Sequence, residues 1–349
     1  MAQLAAAHAG RPRGASSSPP VHDAADISRV DLRLVDVASG AVVGRLDGQQ
    51  TTGSVMAAGG LICLAPTGRN KAAAPVRVIH PATGAATDIP AATAAGGRER
   101  ASPSTYVFGH LPTTREYKVL RISAAAGHAE PSTQSCEILT LAGGRSHRWG
   151  PAPSPPVLVS SSVSRHKAVT QGFAHFLTTS HVADYDGIAS FDLAKEEWRP
   201  SLLQGPIPSK DRHCCHSSLS LVELNGCLVF VHHDYRSCCI DMWVLADLEK
   251  GRWLRIQSLA LGSVLRGWED DTSQQPAPLI PVHRRREIFA QPLMVLDDGR
   301  IAFWVAVPNG VVRVYDPKTR KCKDVVGMGS SCSIVGLYRG SQLGCTCSR

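Results

Sequence analysis

Cysteine and histidine are concentrated in one short part of the chain, residues 213–239. The residues concerned are His213, Cys214, Cys215, His216, Cys227, His232, His233, Cys238 and Cys239. Zinc sites use such side chains in pairs separated by about two to four residues. Here the cysteines form adjacent pairs, and adjacent strand residues point to opposite faces of a sheet. The sequence therefore predicts no metal site and no cofactor.

The same segment contains a thiol, an imidazole and a carboxylate that could act together: Cys238, His232 and Asp234. A cysteine hydrolase needs its thiol beside a base that a third group orients. No Gly-x-Ser-x-Gly element, phosphate-binding loop or dinucleotide fingerprint accompanies them. We therefore predict that the protein is not an enzyme, and a hydrolase using these three residues is the alternative. His175, flanked by apolar residues, is interpreted as a hydrogen-bonded structural residue.

Two irregular stretches have the composition of binding loops. The longest is Gly262 to Glu287, which holds a tryptophan, an acidic run and a run of three arginines. Tryptophan, tyrosine and arginine are the types most enriched at binding hot spots. The predicted partner-binding residues are His233, Tyr235, Arg236, Trp268, Arg284, Arg285 and Arg286. The alternative is that Trp268 is buried in an undetected strand and the arginines are only solvated.

The charge and aromatic content of the chain indicate which class of partner it binds. The chain has 349 residues, a net charge of +8 and only 5% aromatic residues. A nucleic-acid surface needs aromatic side chains interleaved with its basic residues, and that pattern is absent. No apolar run approaches the roughly 20 residues that span a bilayer. The sequence therefore predicts a protein partner, with no nucleic acid and no membrane.

The eleven cysteines are an odd number and include two adjacent pairs, which do not bridge each other without strain. No secretory signal peptide opens the chain. Reduced thiols are typical of the cytosol and the nucleus, so the predicted location is cytoplasmic or nuclear.

Short strands and tight turns organise the chain around these residues. Leu219 to Leu224 and Cys227 to His232 are β-prone, and Asn225-Gly226 between them is typical of a hairpin turn. Ile240 to Leu245 and Trp253 to Ile256 add two more strands. Four antiparallel strands in about 40 residues make one sheet that is too small to be stable alone.

This unit recurs along the chain. Its turn anchors are His80, Thr140, Asp192, Asp247 and Asp316, spaced 52 to 69 residues apart. A period of about 50 residues with three or four strands per repeat is typical of propeller blades. The sequence predicts an all-β, propeller-like fold of about six small antiparallel sheets. Two β-sandwich domains divided at the proline-rich stretch near Pro151 are the alternative.

The chain ends differ in composition from the repeat. Residues 1–28 are rich in Ala, Ser and Pro and are predicted to be a disordered tail, with a transit peptide as the alternative. Residues 29–340 form the predicted propeller-like domain, a single cooperative unit, and residues 341–349 a loose tail.

Trp149, Trp198 and Trp253 each begin a strand after a turn. We interpret them as packing between blades, with partner recognition as the alternative.

Several short motifs, in this order, resemble the plant F-box-associated domain. They are His80-Pro81-Ala82-Thr83-Gly84, Phe108-Gly109-His110, Glu116-Tyr117-Lys118-Val119, Glu137-Ile138-Leu139-Thr140-Leu141, Trp149, Ser190-Phe191-Asp192-Leu193, Leu224-Asn225-Gly226, Ile240-Asp241-Met242-Trp243-Val244-Leu245 and Val314-Tyr315-Asp316. The resemblance covers about residues 30 to 340. It implies a β-propeller-like domain that holds the substrate of a cullin-based ubiquitin ligase.

Proteins of this family usually carry an F-box, a helical module that docks on the ligase adaptor subunit. The first 29 residues are too few and too rich in Ala, Ser and Pro for its three helices. The resemblance therefore implies the recognition half of a ligase receptor without a visible F-box. A truncated gene and a stand-alone propeller both fit, and adaptor binding through this chain alone is not expected.

Overall fold

The structure is a computed structural model. It describes residues 3–9, 29–37, 39–50, 53–66, 74–90, 104–124, 133–141, 148–160, 164–178, 187–207, 217–266, 289–305, 310–327 and 332–338. Strands are the main regular structure in these residues. The helices among them are a 3-10 helix, Ser164–His166, and an α-helix α1, Leu261–Arg266. The predicted C-terminal tail, 341–349, lies outside them.

The strands form six small antiparallel sheets, which we call blades 1 to 6. Blade 1 contains β1 (Gln3–Ala9), β2 (Arg29–Asp36), β3 (Val42–Gln50) and β25 (Cys332–Tyr338). Blade 2 contains β4 (Gly53–Ala58), β5 (Leu61–Pro66), β6 (Val76–Ile79) and β7 (Ala86–Ile89). Blade 3 contains β8 (Ser104–Leu111), β9 (Glu116–Ala124), β10 (Gln134–Leu141) and β11 (Trp149–Ala152).

The second half of the ring repeats this plan. Blade 4 contains β12 (Lys167–Thr170), β13 (Phe173–Leu177), β14 (Gly187–Asp192), β15 (Glu197–Trp198) and β16 (Leu203–Gln204). Blade 5 contains β17 (Ser217–Leu224), β18 (Cys227–Asp234), β19 (Cys239–Asp247) and β20 (Arg252–Ala260). Blade 6 contains β21 (Ala290–Val295), β22 (Ile301–Val305), β23 (Val311–Asp316) and β24 (Lys321–Gly327).

The innermost strands close a ring. In order round it they are β25, β4, β8, β12, β17 and β21, and each contacts the next, with β21 returning to β25. The prediction of an all-β propeller of about six blades is confirmed. Two separate sandwiches would not give each sheet a neighbour on both sides, so that alternative is wrong.

Blade 1 closes the ring with strands from both ends of the chain. Its order is β25-β1-β2-β3, so β1 lies between β25 and β2 and pairs with each of them. The prediction of disorder for residues 1–28 is therefore wrong for Gln3–Ala9. The reason is that this Ala-rich segment gains hydrogen-bonding partners on both sides, which composition alone does not reveal. Residues 10–28 lie outside the described part of the chain.

The strand order gives the ring two unlike ends. At one end, which we call the closed end, lie the hairpin turns between first and second strands and between third and fourth strands. Several of these turns are linked, since the Gln171 amide donates to Gly226 O at 3.2 Å and the Asn225 amide donates to Val295 O at 3.0 Å. At the other end, the open end, each blade connects to the next. The closed end is therefore fixed by short turns, while the open end carries the longer connections.

Aspartates fix the outer turns of the closed end, as the repeat predicted. Asp192, Asp247 and Asp316 each place a carboxylate oxygen 2.8–3.0 Å from the backbone N–H two residues on. An aspartate at this position closes the turn with its own side chain. The repeated anchor is therefore a turn device and is not a site for chemistry.

The three repeat tryptophans join neighbouring blades, which confirms their interpretation. The indole N–H of Trp149 donates to Pro90 O at 3.0 Å, that of Trp198 to Pro153 O at 2.7 Å, and that of Trp253 to Gln204 O at 2.8 Å. Each acceptor belongs to the preceding blade or its exit. In blade 6 the same position is Cys322, whose thiol donates to Ser263 O. Indole rings also pack edge-on against their own blade, as Trp253 does on Phe230.

Candidate interaction face

One predicted binding loop is the turn between β18 and β19, at the open end of blade 5. Asp234 closes it, because its carboxylate accepts from Arg236 N at 2.9 Å and from the Ser237 hydroxyl at 2.7 Å. Arg236 is exposed at the tip. The turn therefore presents one arginine on a fixed backbone.

His233 and Tyr235 do not lie on the surface of this turn. They are 1% and 6% exposed, and the His233 Nε2 is 2.9 Å from Ala290 O of blade 6. The two rings stack with centroids 6.2 Å apart. Their prediction as partner contacts is corrected here: β18 turns His233 toward the adjacent blade, and sequence alone did not show which face of the strand is covered. Arg236 alone of the three is accessible.

The second predicted loop begins and ends beside the same turn. Leu261 N donates to Cys238 O at 2.8 Å at the start of α1, and Ala290 accepts from His233 at the start of β21. The chain between these anchors contains Trp268, Arg284, Arg285 and Arg286, which lie outside the described residues. The open end of blades 5 and 6 is therefore where both predicted loops attach.

Two of the three proposed hydrolytic residues make contacts within the turn. The Cys238 thiol points at Tyr235 O, 3.7 Å away, and the Asp234 carboxylate closes the turn. His232 lies on β18 and is 7% exposed. Nothing in these contacts joins the thiol to an imidazole base, which a cysteine nucleophile requires.

The metal hypothesis concerns residues that the structure describes only in part. Among the residues it covers, no three His, Cys, Asp or Glu side chains are grouped so as to hold an ion. His213, Cys214, Cys215 and His216 fall outside them. His175 is hydrogen-bonded between Ser190 and Thr170, at 2.8 and 3.3 Å, in agreement with its structural interpretation.

Sequence reasoning missed a basic run at the open end, where the 3-10 helix leads into β12. Lys167 donates to the Thr105 hydroxyl of blade 3 at 2.5 Å. Arg165 reaches in the other direction, and its guanidinium carbon lies 4.9 Å from the centre of the Phe289 ring, at the start of blade 6. Both side chains are half-buried. The signal that could have found them is the run Arg165-His166-Lys167 immediately before an inner strand.

Burial sets the charge of this region. It lowers the pKa of Lys167 from 10.5 to about 8, so most of the ammonium is still protonated at pH 7. It also lowers the pKa of His166 and of His233 to about 4, with the charge of Arg165 acting in the same direction. His166 Nδ1 is 2.6 Å from the Ser160 hydroxyl. Near neutral pH the cations here are therefore Arg165 and Lys167, and these two histidines are neutral hydrogen-bonding groups.

Solved structures resemble this chain at low sequence identity and with TM-scores below 0.5. A protein of unknown function from Bacteroides caccae is 11% identical with a TM-score of 0.47, over 97% of this chain and 99% of that one. A puromycin hydrolase is 11% identical with a TM-score of 0.46, over 85% of this chain and 43% of that one. Dihydro-heme d1 dehydrogenase is 12% identical with a TM-score of 0.43, over 88% of this chain and 65% of its own length. These similarities carry no argument about fold or activity.

Two further comparisons bear on the class of protein. No curated protein sequence matches this chain. Among the described residues, no helix has both the length and the apolar character needed to cross a membrane.

A family profile matches most of the chain. It covers residues 44–325, from β3 of blade 1 to β24 of blade 6, and describes the F-box associated beta propeller domain. The match spans the blades whose turn aspartates and tryptophans are described above. The chain therefore belongs to the F-box associated beta propeller domain family.

Proposed function

We propose that this protein is a recognition module that binds a protein partner, and that it serves as the substrate-binding part of an F-box-type ubiquitin ligase receptor. The observation that carries the proposal is the match to the F-box associated domain over residues 44–325. The unlike ends of the ring support it, because recognition tends to lie on connections held by a rigid scaffold. The proposed contact surface is the open end of blades 5 and 6, with Arg236, Trp268 and Arg284 to Arg286.

A binding role without catalysis fits the contacts at Cys238 and Asp234, both of which serve the turn. A cytoplasmic or nuclear location fits the described cysteines whose side chains are placed, which are free thiols: Cys63, Cys136, Cys227, Cys238, Cys239 and Cys322. A metal-free and cofactor-free surface completes the proposal. A generic ester and phosphoester panel, run with and without zinc, should show no turnover; turnover lost in Cys238→Ala would overturn the non-enzymatic part.

The test identifies partners by proximity labelling with the full chain and then measures their affinity with purified proteins. Two open-end variants are compared with the parent: Trp268→Ala, and the combined Arg284, Arg285 and Arg286→Ala. Truncating a hot-spot residue costs about 2 kcal/mol, so we expect binding to weaken about 30-fold. Lys195→Ala and Lys318→Ala are the controls, because both lysines are exposed on closed-end turns, and they should bind normally.

Unchanged affinity in both open-end variants, with normal folding, would show that this end is not the contact surface. A separate measurement tests ligase docking. We expect the purified chain alone not to bind the adaptor subunit, since α1, the one α-helix among the described residues, has only six residues. Tight binding would reveal a docking surface outside the F-box helices.

A further inference from the structure

The two ends of the central opening differ in chemistry. At the open end the inner strands begin with Ser54, Ser104, Thr105, Lys167, Ser218 and Gln291. At the closed end they finish on mainly apolar side chains, such as Leu111, Leu224 and Val295. The described inner strands place no carboxylate among their first two residues. The open ends of the inner strands therefore carry hydroxyl and amide groups and one ammonium.

Lys167 is the half-buried cation among these residues. An ammonium has three N–H donors, and Thr105 accepts one of them. Within the described residues no carboxylate pairs with Lys167. Its pKa is lowered because burial removes water without supplying an opposite charge. A half-buried cation in this state gains most from an anion that brings both charge and acceptor oxygens.

The surrounding groups favour the same kind of ligand. Arg165 lies two residues earlier, and its guanidinium packs on the Phe289 ring. His166 and His233 are neutral near pH 7, and Asp234, at the end of β18, is held by its own turn. Deeper along β17, the Ser220 hydroxyl is 1% exposed and has no hydrogen-bond partner within the described residues. Among the described residues Lys167 therefore keeps an uncompensated positive charge, and the Ser220 hydroxyl is a spare donor.

We infer that the open end of the ring holds an anion-binding site, formed by Lys167 with Thr105, that receives a carboxylate or phosphate group of an acidic segment of the partner protein. This inference deepens the proposed function and rests on it for the identity of the partner. The anion would take the unused Lys167 donors and the Thr105 hydroxyl hydrogen.

The first experiment needs no partner. The purified chain is labelled with a trace amine-reactive reagent at pH 8, and the modification of Lys167 and of Lys195 is followed by peptide mass spectrometry. The probes are inorganic phosphate and acetate, each compared with chloride at equal ionic strength. We expect protection of Lys167 by at least about threefold and none of Lys195, which is exposed at the closed end. Protection by phosphate alone would assign a phosphorylated segment, and protection by acetate as well a carboxylate-bearing one.

Two results would overturn the inference. One is that neither anion protects Lys167, and the other is that Lys167 does not react at all, since a site closed to the reagent is closed to a partner. Thr105→Val, which keeps the ammonium, should reduce the protection. Should Lys167→Met fail to fold, Lys167→Arg keeps the charge and should retain anion binding.

A second measurement separates this inference from the proposed function. Lys167→Met should weaken binding of the identified partner about 10-fold, and Lys195→Met should leave it unchanged. Normal binding by Lys167→Met together with loss in Trp268→Ala would overturn the anion site and leave the recognition role standing. Anion protection with no partner affected by either open-end change would overturn the recognition surface instead.

Discussion

At the scale of single residues, the molecule buries several titratable groups without giving them opposite charges. His175 and His233 are 2% and 1% exposed, and burial lowers the pKa of each to about 4. Each stays neutral because burial penalises the charged ring, and its ring nitrogens keep hydrogen bonds to neutral groups, such as the Ser190 hydroxyl for His175 and Ala290 O for His233. Such histidines are ordinary in a fold, but they make its stability depend on pH.

The direction of that dependence follows from the pKa values. The unfolded chain binds a proton at each histidine near pH 6.5, whereas the folded chain does so only near pH 4. Stability is therefore complete above pH 6.5 and falls as the pH drops toward 4, by at most about 1.4 kcal/mol per pH unit for each histidine. Below pH 4 these groups add no further change.

We expect His175→Gln to flatten this profile. The amide can keep hydrogen bonds to Ser190 and Thr170 but does not titrate, so the variant should lose one histidine's share of the pH dependence. Urea unfolding of parent and variant at half-unit steps from pH 4 to 7.5 measures it. Parallel profiles for the two proteins would show that His175 does not contribute.

At the scale of elements, two glycines illustrate two different constraints on the blades. Gly226, in the hairpin turn of blade 5, has φ of +86° and open space around an added Cβ. Gly109, in inner strand β8, lies where an added Cβ would meet the Leu193 side chain at 2.4 Å. Gly226 is required because its backbone adopts positive φ. Gly109 is required because the neighbouring side chain leaves no room for a Cβ.

These constraints predict opposite responses to the same pair of substitutions. Gly226→Ala should cost about 1 kcal/mol through strain, and Gly226→Asn less, because asparagine tolerates positive φ. Gly109→Ala should cost about 1–3 kcal/mol through overpacking, and Gly109→Asn more. Denaturant midpoints of the four variants test the crossing pattern. If asparagine is the worse residue at both sites, backbone strain at Gly226 is not the limiting factor.

At the scale of the whole molecule, closure of the ring depends on β1. This strand pairs with β2 on one side and with β25 on the other, so it links the first and last parts of the propeller. Opening it would leave both neighbours with unpaired backbone groups. The hydrogen bonds that Trp149, Trp198 and Trp253 make between blades would then have to keep an open ring folded.

We expect the full chain to unfold in one cooperative transition, and deletion of residues 1–9 to lower its midpoint by roughly 5 °C or more. Deletion of 341–349 serves as the length-matched control and should have little effect. Differential scanning calorimetry measures both. Two separated transitions in the full chain would contradict a single unit, and an unchanged midpoint after the first deletion would contradict closure through β1.

Local sequence motifs specify the repeat, and through it much of the fold. Asn225-Gly226, the turn aspartates and the tryptophans act locally, so their spacing predicts strands, turns and the number of blades. The likeness to the F-box-associated domain was also visible in these local motifs. Short-range rules were sufficient because each blade is built from chain neighbours.

Which neighbouring surface each side chain faces follows from the tertiary contacts of the folded chain. His233 and Tyr235 look like an exposed loop in the sequence, yet blade 6 covers them. Gln3–Ala9 looks like a tail, yet a strand more than 300 residues away pairs with it. No local motif marks Lys167 in the sequence. In the folded chain it is a half-buried cation that donates a hydrogen bond to Thr105 of the adjacent blade. These features depend on long-range contacts, and local composition does not encode which surfaces such contacts remove from water.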